Sequence, residues 1–338
     1  MPVDRRRIEA RVRLNRLAIG GWSAQALFAA NELGVFDVLK DGRGMSASEV
    51  AEVLDTDHDA TARLLGALVA VDLLEHDGSR YVNSPAAEEH LVPGRPGSMA
   101  TWVSLIGGWN QTFGKLAESV RSGSPAEVPE EKLGQSEEYT RRFIIGMHDY
   151  AIGPGRELAR HLDLSGRKRL LDPGGGPGTY SILLAEANPG LECVVFDLPE
   201  VVAIADEVIA EHGLSDRVST VAGSYHEDDF PGGFDVALVS NTLHQEDWDT
   251  CVSILRKAHD AVEPGGLGVV HAMFLNERGD GPLWPALHNL LMLLVYRGGR
   301  AYSVEDTFRM MEEAGFRDPE HHRMSPFNAG SFVTARRD

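Results

Sequence analysis

The stretch Leu170-Leu171-Asp172-Pro173-Gly174-Gly175-Gly176-Pro177-Gly178-Thr179-Tyr180 decides the fold. Its apolar start, RLLD, reads as a strand that ends in an acid. The glycines at 174, 175, 176 and 178 let the backbone turn and approach a ligand closely, and a helix opens near Thr179. The next strand, CVVFDLPE, ends in Asp197. A carboxylate at the tip of the second strand of such a unit accepts hydrogen bonds from both hydroxyls of a ribose. The expected ligand therefore carries a ribose.

A dinucleotide is the obvious competitor, and three details turn the reading away from it. The spacing GGGPG is not G-x-G-x-x-G. Asp172 stands before the first glycine, where it would repel a diphosphate and welcome an ammonium group. The motif also lies mid-chain, after a long helical region. Acid, glycines and a second-strand acid match S-adenosylmethionine, which offers an amino group and a ribose and has no phosphate.

The bulk numbers fit a soluble enzyme. The 338 residues are enough for two domains, and 43% hydrophobic content supports large cores. A formal charge of −19 argues against nucleic acid or an anionic membrane as partner. Only Cys193 and Cys251 occur, so neither a disulfide framework nor a zinc spacing is expected, and the compartment reads as reducing and cytoplasmic. The basic N-terminus, MPVDRRRIEARVRL, has no following apolar core of signal type. The run LHNLLMLLVY is too short to span a bilayer.

Organisation changes near residue 160. Residues 15–40 carry apolar side chains at helical spacing. Ser46 and Glu49 read as an N-cap before ASEVAEVL. A second helix is expected over ATARLLGALVAVDLL, followed by two short strands around Asp77-Gly78. Helix, turn, helix and wing make a winged-helix pattern. Arg63 is the only lysine or arginine in the would-be recognition helix, too few for phosphate contacts. Helices apolar on more than one face suit burial against a second subunit instead.

Residues 98–160 read as helical and partly aromatic, and Tyr139, Phe143 and Met147 recur every four residues on one helix face. By spacing alone that is a core stripe. From 166 onward strands and helices alternate: RLLD, a helix, CVVFD, a helix, RVSTVAG, then FDVALVSNTLH, a helix and GGLGVVHAMFL. The expectation is an α/β doubly wound parallel sheet with ligands at the strand C-termini. Asp172, Asp197, Gly223-Ser224-Tyr225 and the segment from Ser240 to His244 fall at those edges. His244 is placed to take a proton from a hydroxyl. Glu246, Asp247 and Asp249 read as a solvated helix N-terminus. His148, His271 and His288 could reach the cleft, but no spacing identifies a metal site.

Nearly the whole chain resembles the small-molecule O-methyltransferases of the caffeic acid and hydroxyindole type. The resemblance implies a winged-helix dimerisation domain over 1–100, a helical linker lining the substrate pocket over 101–160, and a Rossmann-like catalytic domain over 161–338. DPGGGPG resembles that family's glycine loop, with Pro173 where valine is usual, and assigns Asp172, Gly174 and Gly176 to the cofactor. DLPEV resembles its ribose element and adds Asp197 and Leu198. AGSYHEDDF is similar to the adenine segment, with Ser224 in place of aspartate, followed by Tyr225; Ser240 joins them from the next strand. LHQEDWDTCVSILRKAHDAVEPGG resembles the segment that begins with the catalytic histidine, so His244 inherits that role. The pocket faces fall on Tyr139, Phe143 and Met147 and, later, on Met292 and Tyr296. The resemblance turns these from core stripe to substrate wall.

Three departures stand out. Gln245 follows the histidine where the family has an acid. The two carboxylates that brace the histidine fall on Ala272 or His271 and on Ala301. An unbraced histidine can still be a base, but its tautomer must be set otherwise. The loss also fits a thioether, amine or carbon acceptor, served by proximity and exclusion of water; bacterial S-methyltransferases acting on methylthiohydroxybutyrate resemble the same family. The expected enzyme is thus a homodimer that transfers a methyl group to a small molecule, with a hydroxyl acceptor preferred. A dimeric regulator without catalysis is the remoter alternative.

Overall fold

The computed structural model describes residues 5–128, 133–324 and 330–338, so the first four residues of the basic N-terminus lie outside it. The chain divides into two compact units, Met1–Gly108 and Trp109–Asp338. The boundary falls inside α6 (Ala100–Phe113).

The first unit opens with α1 (Arg5–Leu33) and the short α2 (Val35–Val38). α3 (Ala47–Leu54) starts at a capping box: Ser46 Oγ accepts from Glu49 N, and the Glu49 carboxylate accepts from Ser46 N at 2.7 Å. α4 (His58–Ala70) is capped by Asp57. It ends earlier than the apolar run suggested, because Asp72 adopts a left-handed turn (φ 60) and Leu74 begins a strand. β1 (Leu74–His76) pairs antiparallel with β2 (Tyr81–Asn83) across Asp77-Gly78, followed by α5 (Pro85–His90). Phe36, Leu39, Val50, Leu65, Leu68 and Leu74 form the core. The outer length of α1 leaves Leu14, Leu17 and Trp22 exposed.

The second unit takes the last turn of α6 and then α7 (Leu116–Ser122) and α8 (Glu137–His161). The alternating part follows: β3 (Arg169–Pro173), α9 (Thr179–Ala187), β4 (Glu192–Asp197), α10 (Pro199–Glu211), β5 (Val218–Ala222) and β6 (Phe234–Ser240). A 3₁₀ turn (Leu243–Gln245) leads to α11 (Trp248–Ala261) and β7 (Val262–Ala272). The unit closes with α12 (Leu283–Val295), α13 (Val304–Ala314), β8 (Arg317–Arg323) and β9 (Ser331–Arg336).

Among the described residues these strands form one seven-stranded sheet in the order β5-β4-β3-β6-β7-β9-β8. β3, β4, β5, β6 and β7 run parallel, and β9 enters antiparallel between β7 and β8. The order reverses between β3 and β6. Helices leave in opposite directions on either side of that point, so a crevice opens at the strand C-termini. One core packs α11 and α13 on one face of the sheet; the other packs α8, α9 and α10 on the opposite face. Gly155 lets α8 approach α9 closely: a Cβ there would lie 2.6 Å from Leu183.

Candidate active site

The glycine loop is shaped by what lies under it. Gly174, Gly176 and Gly178 all have positive φ, a region that favours glycine. A Cβ on Gly175 would sit 2.7 Å from Asp172 Cγ, and one on Gly174 would sit 2.9 Å from Thr242 Oγ1. A Cβ on Gly176 would meet nothing within 4 Å, so that residue faces open space. Asp172 is fully buried; its Oδ2 accepts from Ser181 Oγ at 2.7 Å, while Oδ1 has no partner. Burial pushes its carboxyl up to about 7, with the Ser181 hydroxyl acting the other way. An orphaned buried acceptor beneath an open glycine loop fits the ammonium end of S-adenosylmethionine.

Asp197 ends β4 and ties the loop down. Its Oδ2 accepts from Gly176 N at 2.7 Å and its Oδ1 from Leu198 N at 2.7 Å. Each oxygen keeps a lone pair for a ribose hydroxyl. Desolvation raises its carboxyl to about 6, against those two backbone donors. Leu198 precedes Pro199 and forms the N-cap of α10. Ser224 and Tyr225 follow β5. The Ser224 N–H donates to Asp228 at 2.9 Å, and its hydroxyl accepts from His226 N at 3.3 Å. The Tyr225 hydroxyl donates to Glu246 Oε1 at 2.8 Å.

That last contact corrects the reading of Glu246 as solvated. It is 8% exposed, whereas Asp247 caps α11 through Thr250 N and Asp249 is exposed, as expected of a helix start.

His244 sits in the 3₁₀ turn beyond β6, partly buried. Its ring meets that of His288 edge to face, with centroids 4.7 Å apart, and lies 6.4 Å from the Tyr296 ring. His288, Met292 and Tyr296 recur every four residues, so α12 and its C-cap present them on one face. Burial, and secondarily His288, hold His244 well below the usual imidazole range; burial alone brings His288 down to about 4. His288 Nδ1 is buried without a partner.

Tyr139, Phe143 and Met147 line up along α8. Tyr139 stacks on Phe143 at 6.3 Å, and Phe143 meets Trp109 edge-on at 6.4 Å. Trp109 and Phe113 in turn pack against the cluster that holds Met292 and Tyr296. The two expected pocket faces are thus joined through Trp109, a residue that periodicity did not single out.

Ser240 is turned into a buried polar cluster. Its Oγ lies 2.9 Å from His271 Nδ1, and Asn241 Nδ2 donates to the Tyr180 hydroxyl at 3.0 Å. Asn241 takes a left-handed backbone (φ 53), which its short amide side chain tolerates. Burial lowers His271 to about 4. Its Nδ1 faces Ser240, and its Nε2 lies 3.0 Å from where a Cβ on Gly330 would be, so it offers His244 no brace. Ala301 is held by its backbone N–H, which donates to Asn289 Oδ1 at 2.9 Å. His148 bonds Thr179 Oγ1 through Nδ1 at 2.8 Å. Among the described residues no cluster suited to a metal ion occurs, and no helix is long and apolar enough to cross a membrane.

A family model described as the O-methyltransferase domain matches residues 112–317, and one described as the O-methyltransferase dimerisation domain matches residues 15–93. The chain is 35% identical over 312 residues to 3-hydroxy-5-methyl-1-naphthoate 3-O-methyltransferase of Streptomyces sahachiroi, covering 89% of this chain and 88% of that one. It is 32% identical over 319 residues to the N,N-dimethyltransferase OxyT of Streptomyces rimosus, covering 89% of each. The crystal structure of human N-acetylserotonin methyltransferase in complex with SAM superposes with a TM-score of 0.90 at 27% identity, covering 99% of both chains.

Proposed function

This chain belongs to the O-methyltransferase family and is an S-adenosylmethionine-dependent enzyme, and on that premise we propose that it methylates a hydroxyl on a small aromatic molecule with His244 as the base. The observation that carries the reading is the placement of His244. It stands at the C-terminal edge of the sheet, beside His288 and Tyr296 on a helix whose Met292 and Tyr296 pack with Trp109, the ring that also meets Phe143. An aromatic wall of this kind suits a flat ring.

Each residue then has a task. Asp172 and the loop through Gly174 and Gly176 hold the methionine end. Asp197, with Leu198 beside it, holds the ribose. Ser224 and Tyr225 flank the adenine, and Ser240 steadies the strand end through His271. Tyr139, Phe143, Met147, Met292 and Tyr296 shape the acceptor pocket, for which residues 101–160 serve as a lining segment between the dimerisation domain and the catalytic domain from 161. Bound S-adenosylmethionine supplies an electrophilic sulfonium methyl for in-line transfer, with S-adenosylhomocysteine leaving. His244 is neutral near pH 7, because its imidazole titrates below the usual range, and its lone pair is available to the acceptor proton.

The working form is a homodimer built on the dimerisation domain, where exposed Leu14, Leu17 and Trp22 on α1 call for cover. The formal charge of −19 weighs against nucleic acid as a partner. Missing carboxylates at Gln245, Ala272 and Ala301 also suit an acceptor that loses no proton before attack, which keeps an amine, thioether or carbon nucleophile as the second reading.

The direct test is incubation of the full chain with S-adenosylmethionine and a panel of hydroxylated and aminated aromatic acids. Formation of S-adenosylhomocysteine with a singly methylated ether is expected. Turnover confined to amines or ring carbons would overturn the hydroxyl assignment.

A further inference from the structure

Glu246 stands two positions after His244, in the turn between β6 and α11. Its Oε1 accepts from the Tyr225 hydroxyl at 2.8 Å and lies 3.2 Å from His226 Nε2. Its own backbone is fixed as well: the N–H donates to Leu243 O at 3.2 Å, and the carbonyl accepts from the Tyr302 hydroxyl at 2.8 Å. A carboxylate this buried persists only where donors meet it, and those donors come from a different loop.

That loop, residues 223–228, is itself held in shape. Ser224 N donates to Asp228 Oδ2 at 2.9 Å, and Lys257 Nζ donates to the carbonyls of Tyr225 and Asp228 at 2.9 and 2.7 Å. The Tyr225–Glu246 bond therefore joins two stiff pieces of chain rather than two floppy ones. Movement of one is passed to the other.

We propose that Glu246 is a positioning residue: its bond to Tyr225 is a latch that couples occupation of the adenine subsite to the orientation of His244. The proposal rests on the reading of Ser224 and Tyr225 as the adenine wall. An adenine seated beside Tyr225 fixes the phenol, the phenol fixes Glu246, and Glu246 fixes the short turn that carries the imidazole. Such coupling is reciprocal, so loosening the turn must weaken adenine binding by the same factor. In a chain without the usual bracing carboxylates, the histidine would be set in place when the cofactor arrives.

The test uses the full-length chain, S-adenosylhomocysteine as probe and calorimetry as readout, which needs no acceptor. Tyr225→Phe removes only the hydroxyl and keeps the ring packing. It is expected to weaken S-adenosylhomocysteine about 10-fold, the scale of one hydrogen bond to a charged group. Glu246→Ala should do at least the same. The double variant should bind no more weakly than the worse single one, since both remove one bond. Glu246→Gln, whose amide oxygen still accepts from the phenol, should stay within about threefold of wild type. Imidazole nitrogen NMR supplies a readout that a merely structural role would leave unmoved. The His244 resonances should shift on adding S-adenosylhomocysteine to wild type and stay in place in Tyr225→Phe. Equal affinities for wild type and Tyr225→Phe, additive losses, or the same His244 shift in both would overturn the latch while leaving the cofactor assignment intact. A wild-type chain that fails to bind S-adenosylhomocysteine would overturn the adenine reading and the latch with it.

Discussion

The imidazole of His288 stands at 88° to that of His244, with ring centroids 4.7 Å apart. This pair occupies the centre for which the resemblance called for a histidine flanked by carboxylates. Neither ring carries a charge near neutral pH, because burial depresses both. The base is a weak one, with the His288 ring rather than a carboxylate against its own.

One consequence is the shape of the pH profile. A folded-state imidazole held below its ordinary range stays neutral, and so competent, down to more acidic pH. Near neutrality the ionisation of His244 is expected to leave single-turnover rates flat, with the acid limb displaced below the usual imidazole range; any rise above neutrality would belong to the acceptor hydroxyl. His244→Ala should lose about 10²–10⁴-fold in turnover with cofactor affinity little changed. An acid limb centred near 6.5 would contradict the neutral, buried base.

The role of His288 separates into ring and nitrogen. His288→Phe keeps an aromatic edge against His244 and removes the unpartnered Nδ1; His288→Ala removes both. If packing is what aligns His244, alanine should cost about tenfold in turnover through misplacement and phenylalanine clearly less. Steady-state rates for the two variants decide it, and equal losses would move the role to the nitrogen.

Asp197 binds the loop now and is expected to bind the ribose on loading. Asp197→Ala should weaken S-adenosylmethionine by about 1.5–3 kcal/mol, the range for a hydrogen bond to a charged group. Calorimetry on a variant shown to be folded would read it, and unchanged affinity would remove the ribose assignment.

Asp172 trades stability for binding. Its folded carboxyl is raised by burial to about 7, above the ordinary carboxylate range, so between the two the folded state holds a proton that the unfolded chain has released. The stability it contributes is full below the unfolded pKa and is lost as pH rises through the folded one. Asp172→Asn cannot ionise. It is expected to raise the melting temperature of the cofactor-free chain at pH 8 by about 2–6 °C and to abolish tight cofactor binding. Thermal scans at pH 5 and pH 8 test the sign, since the gain should be smaller at pH 5.

Assembly is checked by light scattering on the intact chain. A dimer is expected at micromolar concentration, and removal of residues 1–95 should expose apolar surface and cost solubility. A monomer would leave the exposed Trp22 and Leu17 without an explanation.

The fold around the candidate cofactor site was legible because its determinants are local. Strand, acid and glycines sit within one stretch from Leu170 to Thr179, and Asp197 ends the very next strand. The acceptor half was partly legible: the four-residue recurrence of Tyr139, Phe143 and Met147 placed them on one face, but their neighbour Trp109 comes from a helix far away in sequence. Glu246 was misread because an acid before a helix is usually a solvated cap; only tertiary contact with Tyr225 and His226 reveals its burial. The end of α4 was missed because Leu73 and Leu74 continue its apolar pattern, while the turn is made by the backbone of Asp72. His288 was legible only as a histidine that could reach the cleft, since its meaning depends on a ring that a separate element brings alongside.

The bond from Gly176 N to Asp197 Oδ2 has a further thermodynamic meaning. A free glycine loop is the most entropic kind of backbone, and a ligand that has to order it loses affinity in doing so. Here the loop is already tied down in the folded chain by the same carboxylate that is proposed to receive the ribose. The loop is a preorganised receptor, and loading it resembles docking to a rigid surface more than induced folding. Asp197 would then act twice on affinity, once through the bonds it offers and once through the disorder it has removed beforehand.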